Sequence, residues 1–366
     1  MTMDSRSSLL VRLHIDPQLL SGALILCGLG LVVLYSAGDQ SMDVMVRQTI
    51  RMCIGIVTMI LVAQISPARL ARWAPFLYVF GILLLFAVFL FGTGRSANRW
   101  LHLGIVQFQP SEIMKIAVPV TVAWFLFDKV LPPNLRTIIV SMLLVLVPGF
   151  LIIQQPDLGT ALLVMAAGLF TLFFAGISWR WIFSAAGVGL IIAPLGWFLL
   201  HDYQRQRVLT LFDPQRDPLG SGYHIIQATI AVGSGGISGK GWLRGTQSHL
   251  EFLPERATDF IFAVYCEEFG FIGVIVMLAA YAMVLARSLR IALSAQDSFG
   301  RLLAASLTMT LFIYVFVNMG MVTGQLPVVG IPLPLVSYGG TSLVTILAGL
   351  GILMSIHTHK RFIVYS

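Results

Sequence analysis

A few charged residues stand where an otherwise apolar chain would least tolerate them, and their types suggest chemistry. Asp259 lies at the mouth of a long apolar run, DFIFAVYCEEFGFIGVIVMLAA. Its plain role there is a helix cap. Its chemical role would be a carboxylate in a cationic, partly dry cavity, suited to take a proton from a hydroxyl. Glu112 and Lys115 stand one turn apart in FQPSEIMKIA, so they share a helix face. An ionised side chain in a membrane helix costs ~2.5–3.5 kcal/mol at the bilayer centre unless it meets a partner or a wet cavity. The pair is therefore expected to line a polar cavity. Ser111 would cap that helix, and Trp100 beside Arg99 reads first as an interfacial belt residue. Asp157, in QQPDLGT, divides between capping the next helix and facing the same cavity. Arg205 and Arg207 are of the type that neutralises a pyrophosphate by paired hydrogen bonds. Glu267 and Glu268, two turns beyond Asp259, must pair, protonate or face a cavity.

These residues must be positioned by membrane helices. The chain has 366 residues, 57% hydrophobic and 11% charged, with a mean hydropathy of +0.89. Apolar segments of ~20 residues recur along it, which defines an all-α polytopic membrane protein. Ten spans are expected, near 18–37, 47–65, 74–93, 111–128, 137–153, 159–176, 181–200, 259–286, 302–323 and 341–358. Arg69, Arg72, Lys129, Arg136, Arg180, Arg287, Arg290 and Arg301 then fall on one side, with Arg6, Arg12, Lys360 and Arg361 at the ends. That asymmetry predicts cytoplasmic termini and accounts for much of the +7 charge without nucleic acid. The N-terminus reads as a cytoplasmic tail and not a signal peptide. Cys27, Cys53 and Cys266 lie in apolar runs and read as buried thiols. Pro119, Pro148 and Pro194 should kink their helices.

One segment resists the bilayer. Residues 201–258 form a long loop that, counted with Asp259 at its end, gathers six basic and six acidic residues. Tyr223–Val232 is a short amphipathic helix candidate. The run GSGGISGKGW, 233–242, fails the nucleotide-binding pattern. Ser234 stands where the first glycine belongs, and Gly241 stands where Ser or Thr should follow Lys240. Its backbone N–H groups and Lys240 remain an anion-binding candidate. A later uncharged segment, 324–340, is rich in Pro and Gly. It is expected to re-enter the membrane against the cavity, because irregular backbone at that depth must be buried or line water.

Taken together, FQPSEIMKIA, QPDLGTA, DYQRQRV, DPLGSGYHIIQ, GSGGISGKGW, EFLPERATDFIFAV and VVGIPLPLVSYGGTS resemble the SEDS family of bacterial cell-wall polymerases, closest to its rod-elongation branch. The resemblance covers essentially the whole chain. It implies a single membrane domain over 1–366 that polymerises lipid II into β-1,4-linked glycan at the periplasmic face of the inner membrane, with inversion and loss of undecaprenyl pyrophosphate. The family's catalytic aspartate falls on Asp259 and its cavity residues on Glu112, Lys115 and Asp157. Arg205, Arg207, Lys115 and Lys240, in that order, are candidates for the pyrophosphate, and Glu255, Arg256, Ser337 and Tyr338 complete the expected substrate-binding set. The implied partners are lipid II, the nascent glycan, a class B penicillin-binding protein and the elongation machinery. No cofactor is assigned, and a divalent cation bridging the pyrophosphate stays open although no metal-ligand motif is present. A lipid II flippase and a non-catalytic scaffold for a transpeptidase are the alternatives. The clustering of unassigned charge in the outer half favours the enzyme.

Overall fold

Long apolar runs bounded by Pro, Gly and small polar residues become helices in the computed structural model. It describes residues 13–92, 99–103, 106–184, 187–188, 191, 198, 202–217, 220–246 and 255–359. Three helices come first: α1 (Pro17–Ala37), α2 (Met42–Ala63) and α3 (Pro67–Phe91). A hairpin, β1 (Leu101–Leu103) and β2 (Val106–Phe108), pairs antiparallel with Leu101 opposite Phe108. Then follow α4 (Pro110–Phe127), α5 (Leu135–Gln154) and α6 (Leu158–Phe174). The long loop holds α7 (Asp202–Phe212), a 3₁₀ turn (Pro214–Arg216) and α8 (Ser221–Ser234). The chain ends in α9 (Ile261–Leu293), α10 (Ser298–Val322) and α11 (Thr341–Thr358). Among the described residues, eight of these helices are long and apolar enough to cross a membrane, and α6 is a shorter apolar one. The expected seventh span, 181–200, lies largely outside the described residues, as does Pro194.

Apolar surface outside and polar atoms inside is the pattern a membrane helix bundle requires. On α2 and α3 only about a fifth of the spanning window is buried, whereas α4 is 72% buried and stands at the centre. α4 packs against α3, α6 and α10; α1 packs on α9, and α2 on α11. Small residues allow the closest approaches: a Cβ on Gly351 of α11 would stand 2.4 Å from the Met59 carbonyl oxygen of α2. Cys27 and Cys266 are buried as expected, but Cys53 is exposed, because it lies on the outward face of α2. Pro119 and Pro148 lie inside α4 and α5, and Pro75 inside α3.

At the end of the bundle away from Asp259, Asp16 caps α1 by accepting from the Gln18 and Leu19 N–H groups. Arg287 of α9 donates to both of its oxygens and also meets His357 of α11. Burial would raise the Asp16 proton affinity, but Arg287 and the capping bonds outweigh it and hold the carboxyl below its ordinary range. One buried carboxylate thus ties three helices together.

Candidate active site

The glycine-rich run has a structural use that local reading missed. α9 is broken at Gly270, where φ is +63° and ψ −162°, a conformation open to glycine and costly for other residues. The break orphans helical carbonyl and N–H groups. Residues 236–241 satisfy them: Lys240 and Gly241 N–H donate to the Glu267 and Glu268 carbonyls, while Phe271 and Ile272 N–H donate to the Gly236 and Ile237 carbonyls. The loop backbone therefore serves the helix and not an anion. Lys240 Nζ donates to Glu267 Oε1 at 2.7 Å, and the same oxygen accepts from the Thr246 N–H and hydroxyl. Glu268 accepts from Ser36 of α1. Both deep acids are thus bound to neighbours, and Lys240 is placed with them and not at the cavity.

The cavity lies where the ends of α4, α6, α10 and α11 meet the turn before α9, and its volume is about 460 Å³. Asp259, Glu255, Glu112, Lys115, Asp157 and Tyr338 all border it. Six of the eleven expected site residues are thus brought to one space from positions 112 to 338. The other five are placed elsewhere. Arg205 donates to the Phe198 carbonyl at 2.7 Å. Arg207 stands close enough to act electrostatically on Asp259. Arg256 pairs with Asp39. Ser337 accepts from Leu333 N–H at 2.8 Å and donates to the Thr258 carbonyl at 2.6 Å, bracing the turn before Asp259.

Asp259 is free of the capping role. The N-cap of α9 is Phe260, and no side-chain cap bond closes that end. Burial pushes the Asp259 carboxyl up to about 6, the Glu255 charge adds to that, and Arg207 opposes it. The approach to Asp259 is strained: Glu255 has φ +54°, a left-handed conformation that non-glycine residues seldom adopt. That turn is fixed by Thr258, whose hydroxyl donates to Glu255 Oε2 at 2.8 Å and whose N–H donates to the Glu255 carbonyl. Gly330 faces the acid, and a Cβ there would stand 3.4 Å from Asp259 Oδ2.

On the α4 side, Lys115 Nζ donates to Glu112 Oε1 at 2.6 Å, both side chains being buried. The other carboxylate oxygen, Oε2, is buried without a hydrogen-bond partner among the described residues. The ammonium also lies 5.0 Å from the centre of the Tyr314 ring. Gln109, not Ser111, is the N-cap of α4, and Ser111 is buried within the first turn. Asp157 fills both of its expected roles. Its Oδ1 caps α6 by accepting from Thr160 N–H at 3.2 Å, and its Oδ2 accepts from Gln109 at 2.8 Å. Arg99 stands 3.8 Å from Asp157 and donates to the Gln155 and Pro156 carbonyls. Trp100, expected at the membrane interface, borders the cavity.

Several supporting residues escaped sequence reasoning. Asn318 of α10 donates to the Asp259 carbonyl at 2.9 Å and the Ile331 carbonyl at 2.7 Å, joining the acid to segment 324–340. Gln48 of α2 donates to the Ser337 carbonyl at 3.2 Å and accepts from Gly339 N–H. Both are buried amides inside apolar helices, and that placement was their signal. Segment 324–340 is irregular, and its Gly330, Ile331, Pro332 and Gly339 border the cavity. Among the described residues, no group of three or more His, Cys, Asp or Glu is arranged to hold a metal ion.

Residues 17–362 match the family FTSW_RODA_SPOVE, described as cell cycle protein. The chain is 53% identical to the peptidoglycan glycosyltransferase MrdB of Escherichia coli K12, over 96% of each chain. It is 36% identical to the stage V sporulation protein E of Bacillus subtilis, over 93% of this chain and 96% of that one. Among solved structures it resembles a chain from a study of the structural coordination of polymerization and crosslinking by a peptidoglycan synthase complex. The TM-score is 0.83 and the identity 34%, over 94% of this chain and 99% of that chain. The crystal structure of the rod shape determining protein RodA of Thermus thermophilus gives a TM-score of 0.70 at 31% identity, over 93% and 96%.

Proposed function

The chain belongs to the FtsW, RodA and SpoVE family, and from that membership we infer that this multi-pass membrane protein is a peptidoglycan glycosyltransferase joining lipid II into glycan strands. The observation that carries the reading is the single cavity in which a carboxylate of raised proton affinity, Asp259, shares walls with a buried ammonium, Lys115. Transfer of a sugar from a pyrophosphate carrier needs a base for the incoming hydroxyl and a cation for the departing charge.

In the mechanism we propose, the acceptor 4-hydroxyl attacks the anomeric carbon of the donor. Its proton passes to Asp259 as the new C–O bond forms on the face opposite the leaving group, inverting the centre to a β-1,4 linkage. The anomeric C–O bond breaks with its electron pair on undecaprenyl pyrophosphate. Lys115 meets that charge; Glu112 holds the ammonium in place, and its partnerless oxygen is left to accept from a sugar hydroxyl. Asp157, fixed by Gln109 and the α6 N-terminus, offers a second acceptor for sugar hydroxyls. Arg207 opposes burial and keeps Asp259 ionised near neutral pH. The distribution of basic residues supports the topology in which this cavity opens to the periplasm of a bacterial inner membrane and both termini are cytoplasmic. The partner is a class B penicillin-binding protein that cross-links the product.

Purified protein with its transpeptidase partner and labelled lipid II provides the test. Wild type is expected to give a glycan ladder. Asp259→Asn is expected to fold and hold its partner yet make no polymer. Near-normal polymer from Asp259→Asn would remove the carboxylate from the base role.

A further inference from the structure

A second cavity, of about 50 Å³, lies between α4, α10 and α11 and shares a wall with the first: Lys115 and Tyr314 border both. Beyond those two it turns apolar, with Leu307 and Leu311 on α10 and Leu350 and Leu353 on α11. α11 begins at the polar cavity, with Thr341 in its wall, and α10 ends near it, past Tyr314. Going from Tyr314 to Leu307, or from Thr345 to Leu353, therefore leads away from the site by ~10 Å of helix. The cleft is an apolar continuation of the cavity into the bundle.

Its floor includes Gly349, in the interior of α11. Glycine is disfavoured there, and two ordinary reasons for it are absent. The backbone is not left-handed, and a Cβ added at Gly349 would meet no atom within 4 Å. Elsewhere on the same helix Gly351 is needed for close packing on α2. Gly349 instead leaves open space in an apolar wall, beside the one ammonium that faces both compartments. A molecule whose pyrophosphate sat at Lys115 and whose sugars filled the polar cavity would have its first hydrocarbon units in this cleft.

We propose that the cleft between α4, α10 and α11 binds the pyrophosphate-proximal part of the prenyl chain of the lipid-linked donor, so that Lys115 marks the junction of chain and headgroup. The proposal rests on the glycosyltransferase reading and assigns the donor, not the acceptor, to the α10–α11 side.

The test is photolabelling of the full-length protein with its partner in detergent micelles. The probe is an undecaprenyl pyrophosphate carrying a diazirine on the isoprene unit next to the phosphate. Labelled peptides are expected from 307–314 and 345–353. Unlabelled lipid II should compete, and added phosphatidylglycerol should not. Gly349→Leu places a side chain in the cleft, its Cβ meeting no atom within 4 Å, and should cut labelling by about tenfold, since small misfits in apolar pockets cost that much. Gly28→Leu, an equally open helical glycine on α1, should leave labelling unchanged and controls for the added leucine. Labelling confined to other helices, undiminished labelling of Gly349→Leu, or equal competition by phosphatidylglycerol would overturn the proposal, the last by making the cleft an ordinary acyl-chain site. Glycan synthesis by the wild type is measured in parallel. Its failure would count against the enzyme reading while the labelling pattern still judges the cleft.

Discussion

Neutralising Glu255 should move the pH dependence of glycan synthesis to lower pH, and neutralising Arg207 should move it to higher pH. The Asp259 carboxyl is lifted from 3.8 to about 6, first by burial, then by the Glu255 charge, with Arg207 pulling the other way. A lift of about 2 pH units corresponds to about 3 kcal/mol of disfavour for the ionised form. The proposed base would work as the carboxylate, so kcat/KM should climb with pH and level off above about 6. At pH 5, about a tenth of the protein would be ionised at this site and about a tenth of the plateau rate should remain. In Glu255→Gln a repelling charge is gone, so the carboxylate persists to lower pH and the rate at pH 5 should rise relative to the plateau. The side chain keeps an oxygen for the Thr258 hydroxyl. In Arg207→Gln the attracting charge is gone and the limb should shift upward. His224, stacked on Phe260, is the histidine to control for, because burial holds it below its ordinary 6.5 while Glu255 and Asp217 pull it up. His224→Gln should leave the limb in place. Initial rates at limiting lipid II between about pH 4.5 and 8.5 would decide, with aliquots returned to neutral pH to exclude denaturation. An unperturbed limb near 4 in the wild type, or the same limb in the wild type, Glu255→Gln and Arg207→Gln, would refute the assignment of Asp259 as the titrating base.

Two further outcomes follow from the placement of the lysines. Lys115→Ala should lower the rate by about 100-fold or more, as loss of a charge-stabilising donor does, whereas exposed Arg180→Ala should stay near wild type. Because the alanine strands buried Glu112, thermal unfolding should be followed as well, and the double variant Glu112→Gln with Lys115→Met should recover stability without activity. Lys240→Met should lower the melting temperature, because it deprives the fully buried Glu267 side chain of its ammonium. It should leave the KM for lipid II near wild type, and a selective rise in KM would restore Lys240 to the pyrophosphate.

Much of the fold was legible because a membrane helix announces itself by length and hydropathy alone. Nine of the ten expected segments overlap helices of the bundle, from Pro17–Ala37 to Thr341–Thr358. The hairpin at 101–108 and the helix Asp202–Phe212 were not legible. Their periods are short, and polar, aromatic and aliphatic residues alternate without a clear face. The site was legible where charge contradicted its surroundings. Asp259, Glu112, Lys115 and Asp157 stand at or inside apolar runs, and the cost of leaving them unpaired marks them without reference to geometry.

The glycine-rich run shows where such reasoning stops. Local pattern suggested that its N–H groups and Lys240 would meet an anion, and chemically they do meet acceptors: the Glu267 and Glu268 carbonyls and the Glu267 carboxylate. The acceptors belong to a helix some 30 residues away whose break at Gly270 creates them. A glycine inside a long apolar helix and a glycine-rich loop earlier in the chain each looked like an isolated irregularity, and only the fold shows that one completes the other. The consequence reaches the site, because the segment of α9 between Asp259 and that break is gripped at both ends. Asn318 holds the Asp259 carbonyl, and the loop holds residues 267–268. A carboxyl lifted to about 6 by burial is sensitive to small changes in depth, so a rigid mount for that segment is part of what would keep Asp259 tuned for the proposed role.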